Sequence, residues 1–457
     1  MGIEGEGMEF KILLEHAIDK IQNLQEYYET QILDIEARLE SEKEKYKYGV
    51  LLEKYFFCKS MDIDVELTEE EQSVINEIIE TCDVEKRDDG VVVRYKLKES
   101  ADLDEKYELD PRIATNEYFK LSEQPRIHSE STLMMLLIRY EEAISGIFKY
   151  ILLKYPEAYL KEKTITYSEL MAIDTEIKEV KKRFIEKESE DFMRLPIGDW
   201  YNTFEQKHKV NFKFENKEFE KFKEVYYRRN LIVHNQGKVN DIYLKNIDQS
   251  LCGSVSRGQI LDVDKKYVEN AFEYTQIILY GTFWALRKLS NDKEELEERM
   301  FDKGFVHMLN AEWRLSEYIY SLMMNEKEQS DANKFCNKVN YWISVKNQGR
   351  FEDVEEEIRS FDVSAMCGQF KVAKYALLDE YEKVSEILED IIGTEIPACY
   401  VEQWPLFLQY RESEQYIQFR DKHLEEFEKL GYQPEYLAVD SDEDIVEEFG
   451  DCMEKIE

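Results

Sequence analysis

Between residues 9 and 57, apolar side chains recur at steps of four and three: Leu14, Ile18, Ile21, Tyr28, Ile32, Ile35 and Leu39, with Gln25 breaking the series. Residues spaced this way share one face of a helix, so the pattern predicts a single long helix with a heptad seam. Such a seam serves either of two ends. It pairs with a second chain as a coiled coil, or it packs on other helices of its own chain, and the sequence leaves both open. Only 7 Pro and 17 Gly in 457 residues leave few places where helices must stop, and an aromatic content of 13 % supplies material for packed cores. The predicted class is mostly α.

Four regions are expected in series. Residues 1–60 hold the long amphipathic helix. Residues 61–124 hold a small module and a linker. Thr68-Glu69-Glu70-Glu71 reads as a capped helix start, and Asp89-Gly90 before Val91–Tyr95 reads as a hairpin turn. A helix plus hairpin resembles a winged-helix unit, but its acidic helix favours a structural role. Residues 125–292 form a helical domain. It contains the strongly apolar run Leu133–Leu153, a helix around Tyr167–Glu190, a turn at Leu195–Trp200, a helix from Phe214, a turn region Cys252–Gly258 and a last helix Tyr267–Leu289. Residues 293–457 show weak repetition. Gly349–Val354, Asp379–Val384 and Tyr410–Gln415 recur near 30 residues apart, each after an aromatic-bearing helix. The pattern resembles degenerate tetratricopeptide-like helix pairs, whose stacks present surfaces to partner proteins; a plain helical bundle is the other option.

The net charge of −38 repels polyanions at long range, so any contact with nucleic acid needs a local exception. Arg126 to Asp241 provides one, with 21 basic against 20 acidic residues. The seven cysteines are scattered without a C-x-x-C pair or zinc-ligand spacing, which points to a reduced, intracellular protein with no metal centre. The acidic N-terminus lacks the apolar core of a signal peptide, and no run of about 18 apolar residues predicts a membrane span. The cytoplasm is the expected location, and no cofactor is expected, since no Gly-rich phosphate loop occurs.

One stretch carries chemistry: Tyr226-Tyr227-Arg228-Arg229-Asn230-Leu231-Ile232-Val233-His234-Asn235-Gln236-Gly237. On a helix, Tyr227, Asn230 and His234 fall at i, i+3 and i+7 and share a stripe. Arg229 lies about 140° around from His234, within reach only through its long side chain. A cation, an amide and an imidazole suit cleavage of an RNA phosphodiester. The 2′-hydroxyl loses a proton and the 5′-oxygen gains one, and an imidazole with a pKa near 6.5 does either at neutral pH. A guanidinium stabilises the extra negative charge of the pentavalent transition state. This chemistry needs no metal.

The Arg, four residues, His spacing, with a polar residue after the Arg, resembles the signature of HEPN-superfamily ribonucleases. The trailing Asn235-Gln236-Gly237, Val239 and Tyr243-Leu244 are similar to the residues after the His in bacterial members. The resemblance covers roughly residues 125–290. It implies catalytic roles for Arg229 and His234, with Asn230 as the accessory polar residue. It also implies a homodimer whose two motifs share a cleft, and 2′,3′-cyclic phosphate and 5′-hydroxyl products. Members act in toxin–antitoxin or anti-phage systems on tRNA or mRNA.

Arg228, Tyr227 and Asn235 are candidate substrate contacts; a surface ion pair for Arg228 and a core position for Tyr226 and Tyr227 are the structural alternatives. His16, His128, His208, His307 and His423 are dispersed and sit near no matching ligand or nucleophile. The competing function is a non-catalytic scaffold that dimerises through its helices and recruits a partner or inhibitor through the C-terminal pairs.

Overall fold

The computed structural model describes residues 9–45, 47–60, 67–80, 82–86, 93–97, 120–161, 163–164, 166, 177–212, 214, 216–252, 254–324, 326, 330–424 and 427. The fold is mostly α. The chain forms two compact units, each gathered from separate stretches: Asp19–Tyr140 with Glu220–Phe272, and Met1–Ile18 with Glu141–Phe219 and Glu273–Glu457. Residues 125–292, expected as one domain, contribute to both.

In the first of these units, the N-terminal seam runs along the helix Phe10–Lys45, which is followed by Lys47–Ser60. Ile21, Tyr28 and Ile32 are buried within the chain itself, whereas Ile35 and Leu39 are half-exposed. Tyr28 stacks on His128 with ring centroids 5.2 Å apart, and its hydroxyl lies 3.0 Å from that of Ser129. The seam as far as Ile32 is therefore satisfied by self-packing. The apolar run occupies the helix Gln124–Lys154, whose Tyr140 meets Phe222 edge-on at 4.5 Å.

Thr68 opens Glu69–Glu80 as expected. Its hydroxyl accepts from Glu71 N–H (3.2 Å) while Glu71 accepts from Thr68 N–H (2.9 Å), a reciprocal cap that satisfies two free donors. The hairpin is present as antiparallel strands Cys82–Lys86 and Val93–Leu97, in register from Cys82↔Leu97 to Lys86↔Val93. The Asp89-Gly90 turn, the linker 101–119 and the start of the Tyr167 helix lie outside the described residues.

In the second unit, Phe148 stacks on Phe192 at 3.8 Å, and Tyr201 meets Phe212, Phe214 and Phe219 edge-on. Leu195–Trp200 is less of a turn than its sequence reads. A helix, Ile197–His208, starts directly after Pro196, and Trp200 is buried with its indole N–H on the Phe192 carbonyl at 2.9 Å. Proline suits that position because the first helical N–H groups have no partner to lose.

The C-terminal part is a series of helix–turn–helix pairs. Three turns share one construction. Ala311, Gly349 and Asp379 have φ of 59°, 73° and 58°. The next residue's N–H in each case reaches back five positions: Glu312 to His307 O (2.8 Å), Arg350 to Val345 O (3.3 Å) and Glu380 to Tyr375 O (2.9 Å). A left-handed residue that reverses the chain lets the otherwise free carbonyls of the helix end be satisfied. An aromatic follows each time, at Trp313, Phe351 and Tyr381. The third predicted recurrence, Tyr410–Gln415, is built differently: Ser413 caps the helix Glu414–Lys422 through Tyr416 N–H (3.2 Å), with no left-handed residue.

Candidate active site

The motif lies in one continuous helix, Asn216–Asn235. Its length follows from the sequence, which offers no Pro or Gly between Lys217 and Gln236. The helix ends where Gln236 (φ 54°) and Gly237 (φ 72°) turn left-handed and the Gly237 N–H closes on the Leu231 carbonyl at 3.0 Å. Uninterrupted helical geometry places Asn230 and His234 one turn apart on a common stripe.

The motif's side chains divide between two sides. His234 is exposed, Arg229 and Asn230 are half-buried, and Leu231 is buried. The Arg229 guanidinium carbon lies 4.8 Å from the Tyr226 ring centroid, a cation–π contact that steers the side chain. Tyr227 packs on a small core of Leu231, Val239, Tyr243 and Ile247, its place as a core aromatic. Asn235 donates to the Lys238 carbonyl at 2.5 Å and so fastens the turn that ends the helix.

Arg228 points the other way from a substrate contact. Its Nε donates to Glu224 at 2.8 Å and its Nη1 to the Asp262 carbonyl at 2.7 Å, while the guanidinium lies over the Tyr267 ring at 4.3 Å. This ion pair is not a surface one, since the two side chains keep only 13 % and 8 % of their exposure. Glu224 also accepts from Tyr243 Oη (2.7 Å) and Tyr267 Oη (2.8 Å). One buried carboxylate thereby joins the motif helix, the short helix Asp241–Asn246 and the helix Lys265–Leu286. Burial works against the Arg228 charge, but Tyr267, Glu224 and Tyr243 more than offset it, so its pKa lies above the ordinary arginine range. Burial, with Glu224 beside it, likewise raises the Tyr267 hydroxyl well above the tyrosine norm.

Glu224, Tyr243, Tyr267 and Asp262 were not among the residues the sequence singled out as a site. Glu224 had a signal, standing four residues before Arg228 where helix ion pairs form. Nothing local tied the two tyrosines to Glu224, because they join it from 19 and 43 residues away, although Tyr243 belongs to the stretch after the motif that carries the resemblance.

Beyond the helix, Lys238 forms an antiparallel bridge with Ile260. Asn240 caps the helix Asp241–Asn246 by accepting from Tyr243 N–H at 2.9 Å. Among the described residues no group of three or more His, Cys, Asp or Glu side chains is placed to hold a metal, and no helix is long and apolar enough to cross a membrane. No family model, curated protein or solved structure matches the chain.

Proposed function

We propose that the chain is a HEPN-type endoribonuclease that cuts RNA by metal-independent transesterification, leaving 2′,3′-cyclic phosphate and 5′-hydroxyl ends. The observation that carries this reading is the exposure of His234 one helical turn after the half-buried Asn230, at the end of a helix that a buried ion pair fixes in place. His234 moves the proton at the 2′-hydroxyl or the 5′-oxygen. Arg229 offers its guanidinium to the phosphorane, and Asn230 orients the phosphate. Tyr226, lying against Arg229, limits the directions that guanidinium takes.

Because Arg229 and His234 are about 140° apart on a regular helix, a single strand touches both more readily when a second copy contributes its own motif, which favours a homodimer. A tRNA or mRNA target and a role as toxin or defence effector in the cytoplasm complete the reading, with the C-terminal helix pairs as the surface for a partner or inhibitor. A scaffold without activity is the second reading. It is favoured by the same 140° separation, and by Arg228, Tyr227 and Asn235 all being occupied within the fold.

Purified protein in EDTA should cleave RNA, and the 3′ ends should resist ligation until the cyclic phosphate is removed to leave a 3′-hydroxyl. His234→Ala should lower the rate about 10²–10⁴-fold. Arg229→Ala should lower it about 10²–10³-fold. Equal behaviour of parent and both variants, with melting unchanged, rejects the nuclease in favour of the scaffold.

A further inference from the structure

Immediately after the motif helix the chain doubles back against the segment that precedes the helix Lys265–Leu286. Two hydrogen bonds enclose the Lys238–Ile260 bridge: Val239 N–H to Gln259 O at 2.9 Å and Leu261 N–H to Gly237 O at 3.2 Å. Lys238 and Ile260 are therefore the pair without hydrogen bonds between them. In such a pair the Cα atoms come to about 4.5 Å and both side chains leave on the same face. The alternation is visible in the burial. Val239 is in the small core and Leu261 packs against it, while Lys238 is exposed and Ile260 is 62 % exposed. The next element repeats the combination. Ile242 (65 % exposed) and Lys245 (exposed) stand three apart on Asp241–Asn246, where side chains are neighbours.

The charges around these couples single out the two lysines. Arg228, Lys223, Arg257, Lys265 and Lys266 are each held by a carboxylate. Among the described residues Lys238 and Lys245 have no such partner. Of the nearby acids, Asp241 is held by Arg257 at 3.2 Å and Asp248 accepts from Ser250 N–H at 2.9 Å.

An amine beside an exposed branched apolar side chain, presented twice, matches a polymer that alternates phosphates with open base faces. A duplex offers the phosphates but hides the bases; a single strand offers both. We propose that Lys238, Ile260, Ile242 and Lys245 form a binding face for single-stranded RNA directly downstream of His234. The lysines take phosphates and the isoleucines take base faces. The purpose of the face rests on the nuclease reading, whereas its geometry does not.

The test uses the full chain carrying His234→Ala, so that bound RNA stays intact, and measures fluorescence anisotropy with an unstructured RNA of about 20 nucleotides and with the matching duplex. Lys238→Ala with Lys245→Ala should weaken single-strand binding about tenfold near 0.1 M salt and reduce the log–log salt slope by about 1.4, the value for two lost phosphate contacts. Ile242→Ser with Ile260→Ser should weaken single-strand binding about threefold and leave both the slope and duplex binding unchanged. In the chain with His234 restored, the lysine pair should raise KM for cleavage and change kcat little. Parent-like binding by both double variants, tighter binding of the duplex than of the strand, or no RNA binding by the parent overturns the proposal. RNA binding that is sensitive to these changes in a chain that never cleaves retires the nuclease and keeps the face. Cleavage with insensitive binding does the reverse.

Discussion

The segment around the motif helix buries one carboxyl group and the C-terminal helix pairs half-bury another, with opposite consequences. Glu224 is surrounded by donors, accepting from Arg228, Tyr243 and Tyr267. Asp302, in the helix Lys293–Leu309, has none among the described residues, and its neighbours Arg299, Glu298 and Lys303 pull in different directions. Burial pushes the Asp302 carboxyl up to about 7. One region thus concentrates its stability in a single charged junction. The other distributes stability over repeated turns and carries a carboxyl it would be more stable without. A buried charge holds a structure together only when every lone pair finds a donor.

The largest expected effect is at Glu224. Glu224→Ala strands a buried guanidinium and two tyrosine hydroxyls, and removing one side of such a pair costs about 3–5 kcal/mol. Chemical denaturation should show that loss, and hydrogen exchange should place it in the motif helix and the helix Asp241–Asn246. Replacing Glu224 and Arg228 together by Met should recover only part of it, because the guanidinium is no longer stranded while the Tyr243 and Tyr267 hydroxyls still lose their acceptor. A small loss for Glu224→Ala alone would erase the contrast between the two regions.

Asp302→Asn should act in the opposite direction. With a folded pKa of about 7 against an ordinary 3.8, Asp302 binds its proton more tightly folded than unfolded. Its contribution is complete below about pH 4 and is lost as pH rises through 7. At pH 8 the folded chain must carry a poorly solvated charge, so Asp302→Asn should stabilise by roughly 2–4 kcal/mol there and by almost nothing at pH 4. Urea titrations at the two pH values check both sign and window. An asparagine variant no more stable at pH 8 than the parent would mean that Asp302 is as well provided for as Glu224.

The sequence made the regions legible to different depths. The N-terminal seam, the Thr68 cap and the hairpin were readable because periodicity and turn chemistry are local. The seam's partner was not, since Tyr28 meets His128 and Ser129 a hundred residues on. At the motif, the order of residues indicated a helix and a stripe of Tyr227, Asn230 and His234. It did not show that Arg228 turns inward, which depends on Tyr267 and Tyr243 arriving from later in the chain to meet it and Glu224. In the C-terminal part Gly349 announced its turn. Ala311 gave no sign, because alanine is an ordinary helix residue and only its neighbours force it into a left-handed conformation.

That difference among three equivalent turns yields the smallest and cleanest effect. A left-handed conformation costs a residue with a Cβ roughly 1–2 kcal/mol relative to glycine. Ala311 is exposed, so Ala311→Gly removes that strain without losing a buried contact and should stabilise by about 1 kcal/mol. Gly349→Ala imposes the strain and should destabilise by a similar amount; a Cβ there would meet nothing within 4 Å, so the cost is conformational and not a clash. Asp379→Gly gains the same relief but loses the carboxylate that Lys346 and Tyr381 contact at 2.5 and 2.8 Å, and should come out near zero. The ordering Ala311→Gly, Asp379→Gly, Gly349→Ala, from most to least stable by thermal denaturation, is what one shared cap requires. If all three variants shift the midpoint alike, the turns are not equivalent and the distributed stability of this region has another source.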